Sequence, residues 1–564
     1  MATKKIVIDP ITRIEGHLRI EVEVNEDNVV TEAWASGQLF RGIEILLKGR
    51  DPRDAALIAQ RICGVCTNVH YRASISSVED AYDITIPKNA EIIRNLVTLS
   101  LFIQDHIVHY YHLHSLDFVD VVSALDADVG EAAKIAATYH EHPYRNSIGH
   151  LSAVKEKLSS FVKAGRLGLF ANGYWGHEAY KFSPEENLIH MNHYLEALRI
   201  QRDLSKAIAI FTGKTPHPQN LVVGGVTSVM DMLNPQRLND FIFIIKDARE
   251  FVERAYIPDM KMMVKAYKDE MKAGMGRGSG NFMAIGGYDF GQGKELFVGG
   301  IITAHDFDNI ANFDENKITE EASRSWYEEE KPTSPFDGDS TPKYTDLNDD
   351  GSLKTEGKYS WVKAPRYEGK AMEVGPLARM IIGYKKESSI IRPYMQSFMD
   401  ETDISLLDFS STIGRNAARA IEAQVCSDFI FDFMSELIEN IKYYDEETWT
   451  KYEFEKLPKK AQGRGIFEVP RGVLSHFIRI EDAKIANYQA VVPTTWNASP
   501  KDAKGQRGPY EDSIIGITIK DTTKPLEVLR VVHSFDPCLA CAVHVIDTKG
   551  KELSKYKINP ICSV

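Results

Sequence analysis

Residues 61–70 read RICGVCTNVH, and residues 536–545 read DPCLACAVHV. Each stretch has two cysteines three positions apart and a histidine shortly after: Cys63, Cys66 and His70 in one, Cys538, Cys541 and His544 in the other. A spacing of three puts both sulfurs on one face of a helical turn. At a helix N-terminus, free N–H groups and the dipole favour thiolates. In the second stretch, Asp536 is expected as N-cap and Pro537 as the first helical residue. In the first, Gly64 turns the chain and a helix is expected from Thr67 or Asn68. Two such helix ends facing each other would make one buried four-thiolate site. Zinc, nickel or an iron–sulfur cluster would all suit those donors, and ligand type alone leaves the three open. Zinc ribbons, however, place their pairs roughly 15–20 residues apart, whereas these pairs stand at opposite ends of the chain. Cys426 and Cys562 have no pairing context, and two C-x-x-C pairs argue against a disulfide framework.

The elements that must position these thiols are mainly helical. The first 50 residues read as β, with LRIEVEV and VVTEAWASG as a hairpin around NEDN. Residues 91–125 are apolar on most faces and predict one long buried helix. Further helices are expected over 185–211, 236–271 and 406–443, and short strands over 282–303 and 513–520. Residues 306–363, rich in charge, proline and glycine, read as a surface excursion. The fold class is therefore mainly α with peripheral β, built on a central long-helix bundle. The organisation reads as an N-terminal β region (1–50), a helical bundle with the first cysteine motif (51–305), the excursion (306–363), helical and β segments with the second motif (364–544), and a tail (545–564).

With 564 residues, 43% hydrophobic, the chain can bury a large core without cross-links. A formal charge of −13 disfavours nucleic acid as a partner. No apolar run approaches the roughly 18 residues of a membrane span, and the N-terminus has no apolar signal segment. DLNDDG at 346–351 resembles the start of a calcium loop, but Gly357 stands where the closing glutamate belongs, so a solvated turn is expected. His106, His109 and His112 run at helical spacing and are read as satisfied histidines of a packed helix. GMGRGSG does not match a dinucleotide fingerprint.

The chain resembles the large, catalytic subunit of nickel–iron hydrogenases. Both cysteine motifs match that family's. Between and around them stand DPITRIEGH, FRGIE, GKTPHPQN followed by VVGG, KYSWVKAPRYEGKAMEVGPLAR, FEVPRGVLSHF and YQAVVPTTWN, in family order from residue 9 to 544. The family's non-enzymatic quinone-site relatives lack the four cysteines, and its hydrogen sensors lack a tail beyond the last histidine.

The resemblance implies reversible heterolysis of dihydrogen at a nickel–iron centre whose iron has carbonyl and cyanide ligands. Cys63 and Cys538 would be terminal nickel ligands, and Cys66 and Cys541 would bridge to iron. Arg471, held by Asp105 and Asp536, would stand over the centre. Pro470 and Thr494 would line the pocket of the diatomic ligands. His70 would donate to a bridging sulfur. Glu15 would carry the first proton away from Cys538, which is preferred as base because an arginine stays protonated. His544, Glu44 and the backbone carbonyl of Ala490 would hold magnesium. No cysteines remain for a relay cluster, so an iron–sulfur small subunit is the implied partner. A maturation protease would cut after His544. Export with the partner to the periplasm or the membrane is implied, with a cytoplasmic location the other reading.

Overall fold

The computed structural model describes residues 4–165, 170, 174–289 and 294–542, the side chains of Cys541 and Ala542 excepted. The expected hairpin is present and extended to three antiparallel strands, β1 (Lys4–Ile8), β2 (Leu18–Val24) and β3 (Val30–Gly37). The centre of the molecule is helical. Helix Lys88–Val108 lies along helix Thr412–Tyr443, with Pro184–Thr212 and Ile257–Lys272 packed outside them. Ser183 and Glu186 form a capping box ahead of Pro184, which fixes the start of that helix. Residues 406–443 break after Leu406–Phe409, because Ser411 takes an extended backbone and caps Thr412–Tyr443.

The long helix expected over 91–125 ends as an α-helix at Val108. It continues as a π-helix over His109–His114 and a 3-10 turn over Ser115–Asp117. The cause is tertiary. Leu113 O accepts from Arg13, Leu116 O from the Tyr180 hydroxyl, and Asp117 O from Arg530 Nε. Carbonyls captured from outside leave no intrahelical bond to continue. The expected helix 236–271 likewise passes through a π-turn, Val252–Tyr256. Pro258 has no N–H to give the carbonyl of Arg254, and the backbone N–H of Tyr144 takes it instead.

A strand was expected over 513–520. Helix Pro509–Ile514 occupies its start, and residues 516–519 meet Asn28 and Val30 only through an isolated bridge. The expected strands over 282–303 are the antiparallel pair Phe282–Asp289 and Glu295–Ile302. Residues 306–363 bury Trp326, Tyr327, Tyr359 and Trp361, and with them the charged Glu320, Glu321, Lys358 and Lys363. In the DLNDDG turn, Asp350 accepts from the N–H and hydroxyl of Ser352.

An antiparallel sheet of Ala461–Val469, Gly472–Glu481 and Lys484–Val491 was not expected and carries much of the site. Its inner face is covered by helix Thr67–Ala81, which follows the first cysteine pair. A Cβ on Gly465 would meet Ala73 O at 2.1 Å, so glycine there is what lets helix and sheet touch.

Candidate metal centre

The first thiol pair sits where a 3-10 turn becomes a helix. Cys63 is extended, and Cys66 is the residue before helix Thr67–Ala81. Cys63 Sγ accepts the backbone N–H groups of Val65 (3.2 Å) and Cys66 (3.1 Å). Such a pair of converging donors stabilises a thiolate. The second pair enters from the core. Helix Leu539–Ala542 starts after Cys538. Asp536 is therefore not its N-cap: its φ of 57 is left-handed, and its carboxylate turns to Arg471. The N-terminal segment straps this loop in place. Leu539 N–H donates to Glu15 O (2.7 Å), Ala540 N–H donates to the Glu15 carboxylate (3.0 Å), and the Thr494 hydroxyl accepts from Cys538 N–H (3.1 Å).

The sulfurs of Cys63, Cys66 and Cys538 converge. Cys63 and Cys538 are 3.3 Å apart, Cys66 and Cys538 are 3.9 Å apart, and all three lie within 4.8 Å of one another. Three soft donors around one point fit a thiophilic metal. None of Cys63, Cys66, Cys426 and Cys538 is in a disulfide. The Cys541 side chain and His544 lie outside the described residues, as does the tail 545–564.

Arg471 reaches the sulfurs from a hairpin tip. Val469 pairs with Gly472, leaving Pro470 and Arg471 as the two turn residues. The guanidinium donates to Asp105 (2.8 Å) and Asp536 (3.1 Å), one nitrogen to each. Those two carboxylates hold it cationic, well above the usual arginine range, against the effect of burial. Burial pushes Asp105 up to about 7, with Arg471 pulling it back. Arg471 Nε is buried and has no hydrogen-bond partner among the described residues. A small cavity joins these groups to Cys66 and Cys538. It is also lined by Val69, Val469, Pro470, Leu474 and Pro493, and by His70 and Thr494.

Glu15 stands on the far side of Cys538, its carboxylate 3.4 Å from that sulfur. Burial, and then the charge of Cys63, raise its pKa to about 7. A carboxyl titrating near neutrality gives and takes a proton readily.

His476 and Tyr488 belong to the site and were not singled out from sequence. The Tyr488 hydroxyl meets His476 Nδ1 (2.5 Å), and His476 Nε2 meets His70 Nδ1 (3.0 Å). Burial raises the tyrosine's pKa, so the phenol keeps its proton, and that proton is assigned here to His476 Nδ1. His476 then has its hydrogen on Nε2 and gives it to His70 Nδ1, which puts the hydrogen of His70 on Nε2. Burial lowers His70 to about 4, keeping it neutral. The only sequence signal for His476 was its place inside FEVPRGVLSHF.

Glu44 lies at the edge of the same sheet. Its carboxylate accepts from Ala490 N–H (2.8 Å) and from the Ser340 hydroxyl. Gln489 and Lys363 complete the cluster, 2.7 Å apart. In an antiparallel strand the N–H and C=O of one residue point to the same side, so the Ala490 carbonyl emerges beside Glu44. His106, His109 and His112 each hydrogen-bond through Nε2, to Glu422, His533 O and Tyr194 O.

Residues 41–544 match the nickel-dependent hydrogenase family, and residues 5–35 match a HoxL-like family. The chain is 48% identical to the quinone-reactive Ni/Fe-hydrogenase large chain of Wolinella succinogenes, over 99% of both. It is 41% identical to the hydrogenase-1 large chain of Escherichia coli, over 99% of this chain and 98% of that one. Among solved structures, the Ni-Fe-Se hydrogenase of D. vulgaris Hildenborough superposes with a TM-score of 0.79 at 33% identity, covering 96% of this chain and all of that one. The chain belongs to the nickel-dependent hydrogenase family. It is the large, catalytic subunit of a nickel–iron hydrogenase, an oxidoreductase acting on dihydrogen, and the family implies a nickel–iron centre. Nothing in these comparisons supports the sensor or non-enzymatic alternatives.

Proposed function

We propose that Cys63, Cys66, Cys538 and Cys541 would hold nickel, and that Cys66 and Cys541 would also hold the iron of the centre, with its carbonyl and cyanide ligands. The observation that carries this reading is the convergence of three sulfurs between Glu15 on one side and Arg471 on the other. The small apolar cavity supports the diatomic ligands: Pro470 and Thr494 are among the residues that line it. The centre, when bound, polarises dihydrogen and takes up its two electrons. The protein's own task is then the proton. Arg471, gripped by Asp105 and Asp536, stays charged and acts by electrostatics rather than as a base. Cys538 Sγ takes the proton and passes it 3.4 Å to Glu15. His70, with its hydrogen on Nε2, donates to a bridging sulfur.

Electrons leave, in this reading, through an iron–sulfur small subunit. Gly64 and Val65, between the first two thiols, are exposed, and the apolar Ile45, Leu46 and Leu57 are exposed too. Such a surface suits a docked partner. Among the described residues no helix is long and apolar enough to cross a membrane. Export with the partner to the periplasm or membrane, and delivery of electrons to a quinone as the Wolinella name implies, complete the reading. Glu44, the Ala490 carbonyl and His544 would hold magnesium once a protease has cut after His544 and that segment has folded inward.

Metal analysis with infrared spectroscopy of the purified complex tests the centre. Nickel and iron with carbonyl and cyanide bands are expected, and zinc alone would overturn the assignment. Intact-mass measurement tests maturation: active enzyme should end at His544, and fully active enzyme ending at Val564 would refute the cut.

A further inference from the structure

Arg379, fully buried on helix Pro376–Lys385, hydrogen-bonds none of the described site thiols and yet joins the segments that aim groups at them. All five of its N–H donors are used. Nε and one terminal nitrogen grip both oxygens of Glu422 (2.8 and 2.6 Å). The other terminal nitrogen binds Glu468 (2.6 Å). The two remaining hydrogens go to main-chain carbonyls, Val469 O and Pro470 O, both at 3.0 Å. Those carbonyls immediately precede Arg471 at the hairpin tip.

The partners of Arg379 extend the grip. Glu422 accepts from His106 Nε2 (2.8 Å), and His106 follows Asp105 on the central helix. Glu468 accepts the Ile285 N–H through its side chain (2.7 Å) and the Tyr288 hydroxyl through its carbonyl (2.5 Å). Arg419, one turn before Glu422, donates to Ser534 O, two residues ahead of Asp536. Burial lowers His106, so it stays neutral. One arginine thus ties together the backbone that presents Pro470 and Arg471 and, through Glu422, the helix that presents Asp105.

We infer that Arg379 is a positioning residue of the hydrogenase reaction: its guanidinium holds the Pro470 and Arg471 turn in register with Asp105. A lysine cannot replace it, because three donors on one nitrogen cannot span two carboxylates and two carbonyls. This rests on the role proposed above for Arg471.

The test uses Arg379→Lys, Glu468→Gln and Arg471→Lys in the assembled enzyme. It measures nickel per subunit, turnover per bound nickel, and the carbonyl and cyanide infrared bands. A displacement near 1 Å costs about 100-fold in rate. Arg379→Lys should therefore keep nickel, shift the bands, and lose about that factor per nickel. Glu468→Gln has a single oxygen for both Arg379 and Ile285, and should fall between it and wild type. If Arg379→Lys does not accumulate, Glu468→Gln carries the test alone, with shifted bands expected. Unchanged bands and turnover per nickel, or a loss that only tracks nickel loss, overturns the inference. Arg471→Lys separates the two readings. Normal turnover there overturns the role of Arg471 itself, whereas slow turnover beside a normal Arg379→Lys overturns the clamp alone.

Discussion

The two cysteine loops have the same spacing and are held in opposite ways. The first is displayed: Gly64 and Val65 face out, Arg41 holds the carbonyls of Arg61 and Ile62 just ahead of it, and helix Thr67–Ala81 backs it. The second is strapped: Asp536 to Ala540 are buried, and Glu15, Thr494 and Arg471 bind it from three sides. A site that exchanges electrons with a partner needs a thin wall on that side. A site that releases protons through one carboxyl needs a dry, rigid wall on the other.

Removing a thiol erases the contrast. Cys63→Ser and Cys538→Ser should both lose nickel and all detectable activity, and either variant with full nickel and turnover would contradict a shared site. Next comes a glycine in each loop's surroundings. Gly16 has φ +86, and a Cβ there would lie 2.5 Å from Ala540 N, whereas at Gly64 nothing stands within 4 Å. Gly16→Ala should cost roughly 1–3 kcal/mol of strain and lower nickel content, and Gly64→Ala should leave the folded subunit unchanged by thermal melting.

Glu15→Gln should retain nickel and para/ortho-hydrogen conversion. Hydrogen–deuterium exchange with solvent should fall by about 10²–10⁴-fold, the usual worth of a positioned acid–base group; normal exchange would remove Glu15 from the proton path. Val65→Lys should do the reverse, sparing that exchange while weakening co-purification with the small subunit.

The smallest effect belongs to Glu511, buried on the strapped side, where it accepts from Ala35 N–H and the Tyr359 hydroxyl. Burial raises its pKa from 4.5 to about 7. A raised carboxyl binds its proton more tightly folded than unfolded. Its contribution is therefore full below pH 4.5 and is lost as pH rises through 7. Glu511→Gln should flatten that decline in melting temperature, and an unchanged slope would place the titration elsewhere.

Local pattern made the thiol pairs, the first hairpin and the long helices legible, because spacing, alternation and caps are properties of neighbouring residues. What sequence hid was fixed by distant ones. Arg13, Tyr180 and Arg530 end the central helix by taking its carbonyls, and nothing near residue 113 announces them. The strand that follows Arg471, Gly472–Glu481, is covered on both faces, so GVLSHFIRI lacks the alternation that marks a half-exposed strand. Asp536 looked like a cap because Asp-Pro before a helix usually is one; Arg471 claimed its carboxylate. The motifs that resemble known hydrogenases did reach Pro470, Thr494 and Ala490, but motif membership gave no reason to prefer His476 or Arg379 over their neighbours.

The strap of Glu15 onto the last cysteine loop has a consequence in time. The contact closes over 523 positions of chain. Residue 15 leaves the ribosome early and must wait for almost the whole polypeptide before its partner exists. Contacts this remote in sequence form late and slowly, since most of the ordering cost precedes any return from them. The centre is thus completed last, and the nascent subunit passes through a long interval in which its core is built and its thiols are still apart.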